Sequence, residues 1–118
     1  MASLGFKAVH FTQIEAQKVE KPGFTGVKVR WLITEDDGAK NFAMRCFEIE
    51  PRGQSAHHSH GWEHEVFVLD GQGVVFCGNE EKRIGPGCAV FVPPNVPHHF
   101  ENIEDETLRF LCLIPYKE

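Results

Sequence analysis

The stretch GQSAHHSHGWEHEVFVLDG, residues 53–71, decides how this chain is read. It holds His57, His58, His60 and His64 and then runs into an apolar segment that closes on Asp70-Gly71. Successive side chains of a strand point to opposite faces, so only residues of equal parity converge. His58 and His60 therefore share a face. His64 joins them if Gly61 and Trp62 make a turn that restores the register, and Val66 and Val68 continue that face as core positions. His57 points away.

A second group, His98-His99, follows Pro97. By the same parity His98 goes with Phe100, whereas His99 goes with Glu101 and looks outward. The candidate metal ligands are His58, His60, His64 and His98. Neutral imidazole is the commonest protein ligand for zinc, copper, iron and nickel. A lone histidine facing a core normally satisfies its ring nitrogens with backbone partners. Three of one parity within seven residues, joined by a fourth far along the chain, outweigh that reading. His57 and His99 are expected at the surface, becoming ligands only if the register slips by one. His10 is read as unrelated.

The chain has 118 residues and a net charge of -5, which suits one domain over residues 1–118. An acidic balance without a run of Lys and Arg excludes a nucleic-acid partner, which needs a concentrated basic surface. The opening ten residues lack a charged start followed by an apolar run, and no stretch approaches a membrane span, so a cytoplasmic protein with no membrane partner is expected. Cys46, Cys77, Cys88 and Cys112 stand singly in apolar segments with no C-x-x-C pair, and are read as buried thiols.

Short strand-like segments succeed one another at roughly 25–33, 42–50, 64–69, 73–78, 87–92, 98–102 and 107–114, each bounded by Gly, Pro, Asn or Asp. Helical patterning is weak, and at most one short helix, near 12–18, is expected. Asp70-Gly71-Gln72-Gly73 reads as a hairpin turn, Gly85-Pro86-Gly87 opens the next strand, and Pro93-Pro94-Asn95 breaks it. The pattern is all-β, a sandwich or a barrel.

These residues carry a resemblance. Residues 53–71 resemble the first motif of the cupin superfamily, G-x5-H-x-H-x3,4-E-x6-G, but read G-x4-H-x-H-x3-H-x6-G, with His64 in place of the glutamate. Residues 87–102 match the second motif, G-x5-P-x-G-x2-H-x3-N, through Gly87, Pro93, His98 and Asn102, with Asn95 at the middle glycine. Asn tolerates the left-handed conformation better than most residues. The resemblance, closest to small one-domain cupins with a tetra-histidine manganese site, implies a double-sheet jelly-roll β-barrel and a homodimer. It also implies a metal held by His58, His60, His64 and His98, with Mn2+ favoured over Fe2+, Zn2+, Ni2+ or Cu2+.

Four neutral imidazoles leave the charge of a divalent ion uncompensated, so the site should attract anions. By analogy the expected function is a metal-dependent oxidoreductase of dioxygenase type acting on a small organic molecule. A metal-dependent lyase or isomerase, a non-catalytic binder of small molecules or metal, and a closed structural zinc are the alternatives. Met44, Trp62 and Phe100 are candidates for the pocket wall. Glu63 and Glu65 fall on the other face and are read as solvated. Arg45 is expected to face outward, with substrate carboxylate binding as the alternative.

Overall fold

The structure is a computed structural model that describes residues 5–116. The first four residues, part of the stretch read for a leader, lie outside it. Nine strands form among the described residues: β1 (Gln17–Lys18), β2 (Thr25–Ile33), β3 (Phe42–Gln54), β4 (His64–Asp70), β5 (Gly73–Cys77), β6 (Glu80–Ile84), β7 (Ala89–Val92), β8 (His98–Glu101) and β9 (Leu108–Pro115). Two single-turn 3-10 segments, Phe11–Gln13 and Glu35–Asp37, are the helical elements among these residues. The expected short helix near 12–18 is thus only the first of these turns, because Ile14 and Val19 supply no apolar stripe to bury.

The sheet order is β6-β5-β8-β3-β9-β4-β7, with β2 on the other side of β3 and β1 beyond it. All pairings are antiparallel. The long strand β3 closes the structure. Its residues 42–49 pair with β9, and its far end pairs Gln54 with Glu101 of β8. One strand therefore belongs to both halves of a curled, jelly-roll-type sheet, as the all-β reading required.

Inside the curl lie Val27, Ile49, Val66, Val68, Val75, Ile84, Val92, Phe100, Leu108 and Phe110, all buried. Their strict alternation in β4 and β9 is what a sheet with one dry face demands. Strand β3 is different, because both of its faces are covered. Ile49 and Cys46, which point to opposite sides, are each fully buried. The outer side is roofed by the N-terminal segment, whose Phe11 and Ile14 carbonyls accept from Arg30 while the Phe11 ring lies 5.1 Å from the Arg109 guanidinium.

Strand β6 and the extension of β3 through Gln54 were not legible as strands. Their residues, EEKRI and PRGQ, have no alternating apolar set. Backbone pairing to β5 and β8 decides them. The turns behave as their residues dictate. Gly71 adopts φ 77°, and a Cβ there would collide with the Thr107 carbonyl oxygen. Asn95 takes φ 68°, the left-handed conformation that its glycine-equivalent place calls for.

Candidate metal centre

Backbone pairing zips the two histidine groups together. His58 and His98 form an isolated antiparallel bridge, with His58 N donating to His98 O at 3.2 Å and His98 N to His58 O at 2.9 Å. Asn95 N donates to His60 O at 2.7 Å, so the turn before His98 holds the loop between β3 and β4 that carries His60. Ser55 adds a third clasp, its Oγ accepting from Phe100 N at 2.9 Å. Asn102 anchors the other end of β8 from a fully buried position: Nδ2 donates to Ile49 O and Glu106 O, and Oδ1 accepts from Glu104 N.

This pairing places His58, His60 and His98 so that one ring nitrogen of each lies within 4.8 Å of the others, close enough for a single ion. Ring centroids are 5.2 Å apart for His58 and His60, 5.3 Å for His58 and His98, and 4.9 Å for His60 and His98. His64 stands beside this group, its ring 4.6 Å from His60 and 5.1 Å from His98. Its Nε2 is 2.8 Å from His60 Nε2.

The outer nitrogens decide which imidazoles are ready to bind. His60 Nδ1 lies 3.0 Å from Trp62 O and His98 Nδ1 2.9 Å from Val96 O. A carbonyl only accepts, so both Nδ1 atoms carry the proton and both Nε2 atoms keep a lone pair, that of His98 open to a cation and that of His60 turned toward His64 Nε2. His64 is oriented otherwise. Its Nδ1 faces Arg45 Nη2 at 3.4 Å and Cys112 Sγ at 3.1 Å. A guanidinium only donates, so the hydrogen bonds run one way, from Arg45 to His64 Nδ1, from His64 Nε2–H to His60 Nε2, and from His60 Nδ1–H to Trp62 O. For His64 to offer Nε2 to a metal, its proton must move to Nδ1, where Cys112 Sγ is the available acceptor.

Burial favours the neutral, ligating form of His58, His64 and His98. The His64 imidazole is pushed down to about 3, first by desolvation and then by the Arg45 charge and the neighbouring imidazoles. His98 and His58 shift in the same direction for the same leading reason. Burial raises the Cys112 thiol, opposed by Arg45. Three or four neutral nitrogens converging at one point, two of them oriented from behind by carbonyls, fit a divalent transition metal.

The imidazoles open into a cavity of about 770 Å³. Its walls include Phe24, Trp31, Phe47, Trp62, Phe100 and Phe110. Trp62 stacks on His60, with centroids 4.1 Å apart and planes at 5°. Two expectations are corrected. Met44 does not line the cavity, and Arg45 does. In the register of β3 on β9, Arg45 lies opposite Cys112 and Phe47 opposite Phe110 on the inner side, while Met44 lies opposite Leu113 on the outer side. Parity along Arg45, Phe47 and Ile49 carried this signal, but Met44 and Cys46 looked equally core-like because that side is covered too. Cys112, buried as expected, is also a neighbour of His64.

The two histidines set aside by parity meet each other on the opposite side of the sheet. His57 Nδ1 is 2.6 Å from His99 Nδ1, and His99 Nε2 is 2.8 Å from a Glu101 carboxylate oxygen. His57 is exposed as expected. His99 is not, being 9% exposed and stacked on Phe76 at 4.5 Å. Glu65 is exposed and Glu63 half-buried, and His10 caps the first 3-10 turn. All four cysteines are free thiols; Cys46 and Cys112 are buried, whereas Cys77 and Cys88 are only half-buried. No helix among the described residues is long and apolar enough to cross a membrane.

A family model described as a cupin domain matches residues 45–114. Among solved structures, the polyketide cyclase RemF from Streptomyces resistomycificus is 37% identical, covering 95% of this chain and 80% of its own, with a TM-score of 0.89. A cupin-2 domain from Rhodospirillum rubrum is 27% identical over 95% of this chain and 76% of its own, with a TM-score of 0.81. Among curated proteins, the 1-methylthio-D-xylulose 5-phosphate methylsulfurylase of Rhodospirillum rubrum is 34% identical over 71 residues, 60% of this chain and 46% of that protein. An uncharacterized protein of Methanocaldococcus jannaschii is 34% identical over 56 residues, 47% of this chain and 45% of that protein. The chain thus spans about half the length of these two curated relatives.

Proposed function

The chain belongs to the cupin family, and from that premise we propose that it is a metal-dependent enzyme acting on a small, planar, carbonyl-bearing molecule by non-redox chemistry of the ring-closing kind. One observation carries this reading. Converging, neutral imidazole nitrogens form part of the lining of a large aromatic-walled cavity instead of being sealed in a core. A closed structural site would need no such space.

A divalent ion bound there supplies Lewis acidity to a carbonyl oxygen, which makes the adjacent carbon electrophilic. His58, His60 and His98 would hold it, and His64 would complete the set with its proton on Nδ1. The chain's other residues do the positioning. Trp62 backs His60, while Trp31, Phe47, Phe100 and Phe110 offer flat faces that orient a planar substrate and exclude water. Likeness to a polyketide cyclase over 95% of the chain supports ring closure on a carbonyl-bearing substrate.

The oxidoreductase reading is the competing outcome, and metal exchange separates the two. Protein loaded with zinc should bind one ion per chain and convert an aromatic polyketide precursor with a mass loss of water only. It should do so as well under argon as in air. Turnover restricted to manganese- or iron-loaded protein, with oxygen consumed, would establish the oxidoreductase instead. Retention of a ligand with no turnover under any metal would leave a binding protein.

A further inference from the structure

Five arginines lie in this chain, and four of them face carboxylates: Arg30 and Arg109 share Glu48, Arg109 also reaches Asp70, Arg52 meets Asp105 and Arg83 meets Glu104. Arg45 has no carboxylate within 4.0 Å among the described residues, although it is the arginine that points into the barrel. Its guanidinium lies 4.7 Å from the Phe47 ring centroid and 5.4 Å from that of Trp31. Nη2 donates to Cys112 Sγ at 3.1 Å and faces His64 Nδ1 at 3.4 Å, and Nε is shielded from solvent with no hydrogen-bond partner.

Ring faces, a thiol sulfur and one imidazole nitrogen return only part of what a guanidinium loses on leaving water. A charged group half-enclosed among aromatic rings normally has an anion beside it. No carboxylate comes within 4.0 Å of Arg45: Glu20 is the acidic residue of the cavity wall, accompanied there by Lys18 and Lys21, and none of the four imidazoles of that wall joins an ion pair with a carboxylate among the described residues. The cavity surface beside His64 is therefore positive before any metal binds, and more so afterwards.

We propose that Arg45 is the anion-binding residue of this cavity, holding an ionised oxygen of a planar aromatic ligand whose neighbouring carbonyl faces the imidazoles. This rests on reading the cavity as the substrate site. The guanidinium is fixed in orientation by Trp31, Phe47, Cys112 and His64, so the Nη N–H groups those contacts leave over offer an anion a donor of set direction. It belongs to substrate positioning and holds no metal.

The test uses metal-free protein, 2-naphthoate as the anionic probe and 2-naphthamide as its neutral counterpart of equal shape, with both affinities measured by titration calorimetry. Wild-type protein should prefer the anion by tenfold or more. Arg45→Met, which keeps most of the side-chain volume, should abolish the preference while leaving the amide affinity unchanged, and Arg45→Lys should restore part of it. His64→Glu, which sets a carboxylate against Arg45, should abolish the preference with the arginine still present. Equal affinities in wild-type protein, or a preference that survives Arg45→Met, would overturn the assignment. Should Arg45→Met fail to fold, the wild-type comparison and His64→Glu still decide. Metal content, measured separately, keeps the two claims apart. A chain that binds metal but shows no Arg45-dependent preference refutes this inference alone, and a chain that shows the preference yet binds no metal refutes the proposed function alone.

Discussion

Acid should destabilise the metal-free protein through His64 well before the carboxylates protonate. The folded-state imidazole is held down to about 3 by burial and by Arg45, against an ordinary value of 6.5. Between these limits the unfolded chain binds a proton that the folded chain refuses. The stabilising contribution is complete above pH 6.5 and is lost as pH falls toward 3. At about pH 5 the unfolded imidazole is nearly fully protonated and the folded one is not, so one group removes about 2 kcal/mol relative to pH 7. In a domain of this size that is a fall in melting temperature of about 8 °C. His58 and His98 shift in the same direction, so the His64 share must be isolated by comparison. Urea unfolding in the presence of a chelator, at both pH values, should give a smaller pH dependence for His64→Gln than for wild type, by about 2 kcal/mol. Identical pH dependence in the two proteins would refute the account of His64 as a buried neutral group.

Alanine at His58, His60 or His98 should remove most bound metal as measured by elemental analysis, whereas alanine at His57 or His99 should leave it intact; equal loss in both sets would sink the parity argument. Gly71→Ala meets the Thr107 carbonyl from a positive φ and should cost about 2 kcal/mol or more in urea unfolding. Leu108→Ala, at a fully buried position, should cost about 2–5 kcal/mol by the same measurement. The exposed Phe67 and Phe91 lie diagonally across the β4–β7 pair on its outer side, at 46% and 57% exposure. We propose that a second copy covers them, so sedimentation should show a dimer in wild-type protein and a monomer in Phe67→Glu with Phe91→Glu.

The parity rule worked where one face of a strand is dry and failed where both are. In β4 the alternation of His64, Val66 and Val68 against Glu65 and Phe67 leaves no choice of face. In β3 the outer Cys46 is as buried as the inner Ile49, because a segment some thirty residues earlier in the chain folds over it, and nothing in residues 42–50 announces that cover. The inward Arg45 and outward Met44 were lost to this ambiguity. The turns were legible for a local reason, since Gly71 and Asn95 must occupy φ values that few residues tolerate. Strand β6 was not legible, because its four outermost residues are exposed and only pairing with β5 makes it a strand. His99 was misplaced at the surface because burial on the outer side of β8 comes from Phe76, a cross-strand neighbour.

The departure at position 64 and the unpaired Arg45 are two sides of one arrangement. The motif this chain resembles carries glutamate there, and a carboxylate on that site would stand against the guanidinium that now lies 3.4 Å from His64 Nδ1. Glutamate would neutralise Arg45 and also lower the charge of a bound ion. Histidine does neither. On the proposed reading it would keep a ring nitrogen toward the metal position and leave the arginine's charge to the cavity, so that a bound ion would be more electrophilic and the pocket more selective for anions. A substrate that is both a carbonyl and an acid, as an enolisable aromatic polyketide is, gains from both changes at once. A site evolved only to store a metal would gain from neither, since each added positive charge weakens the hold on a cation.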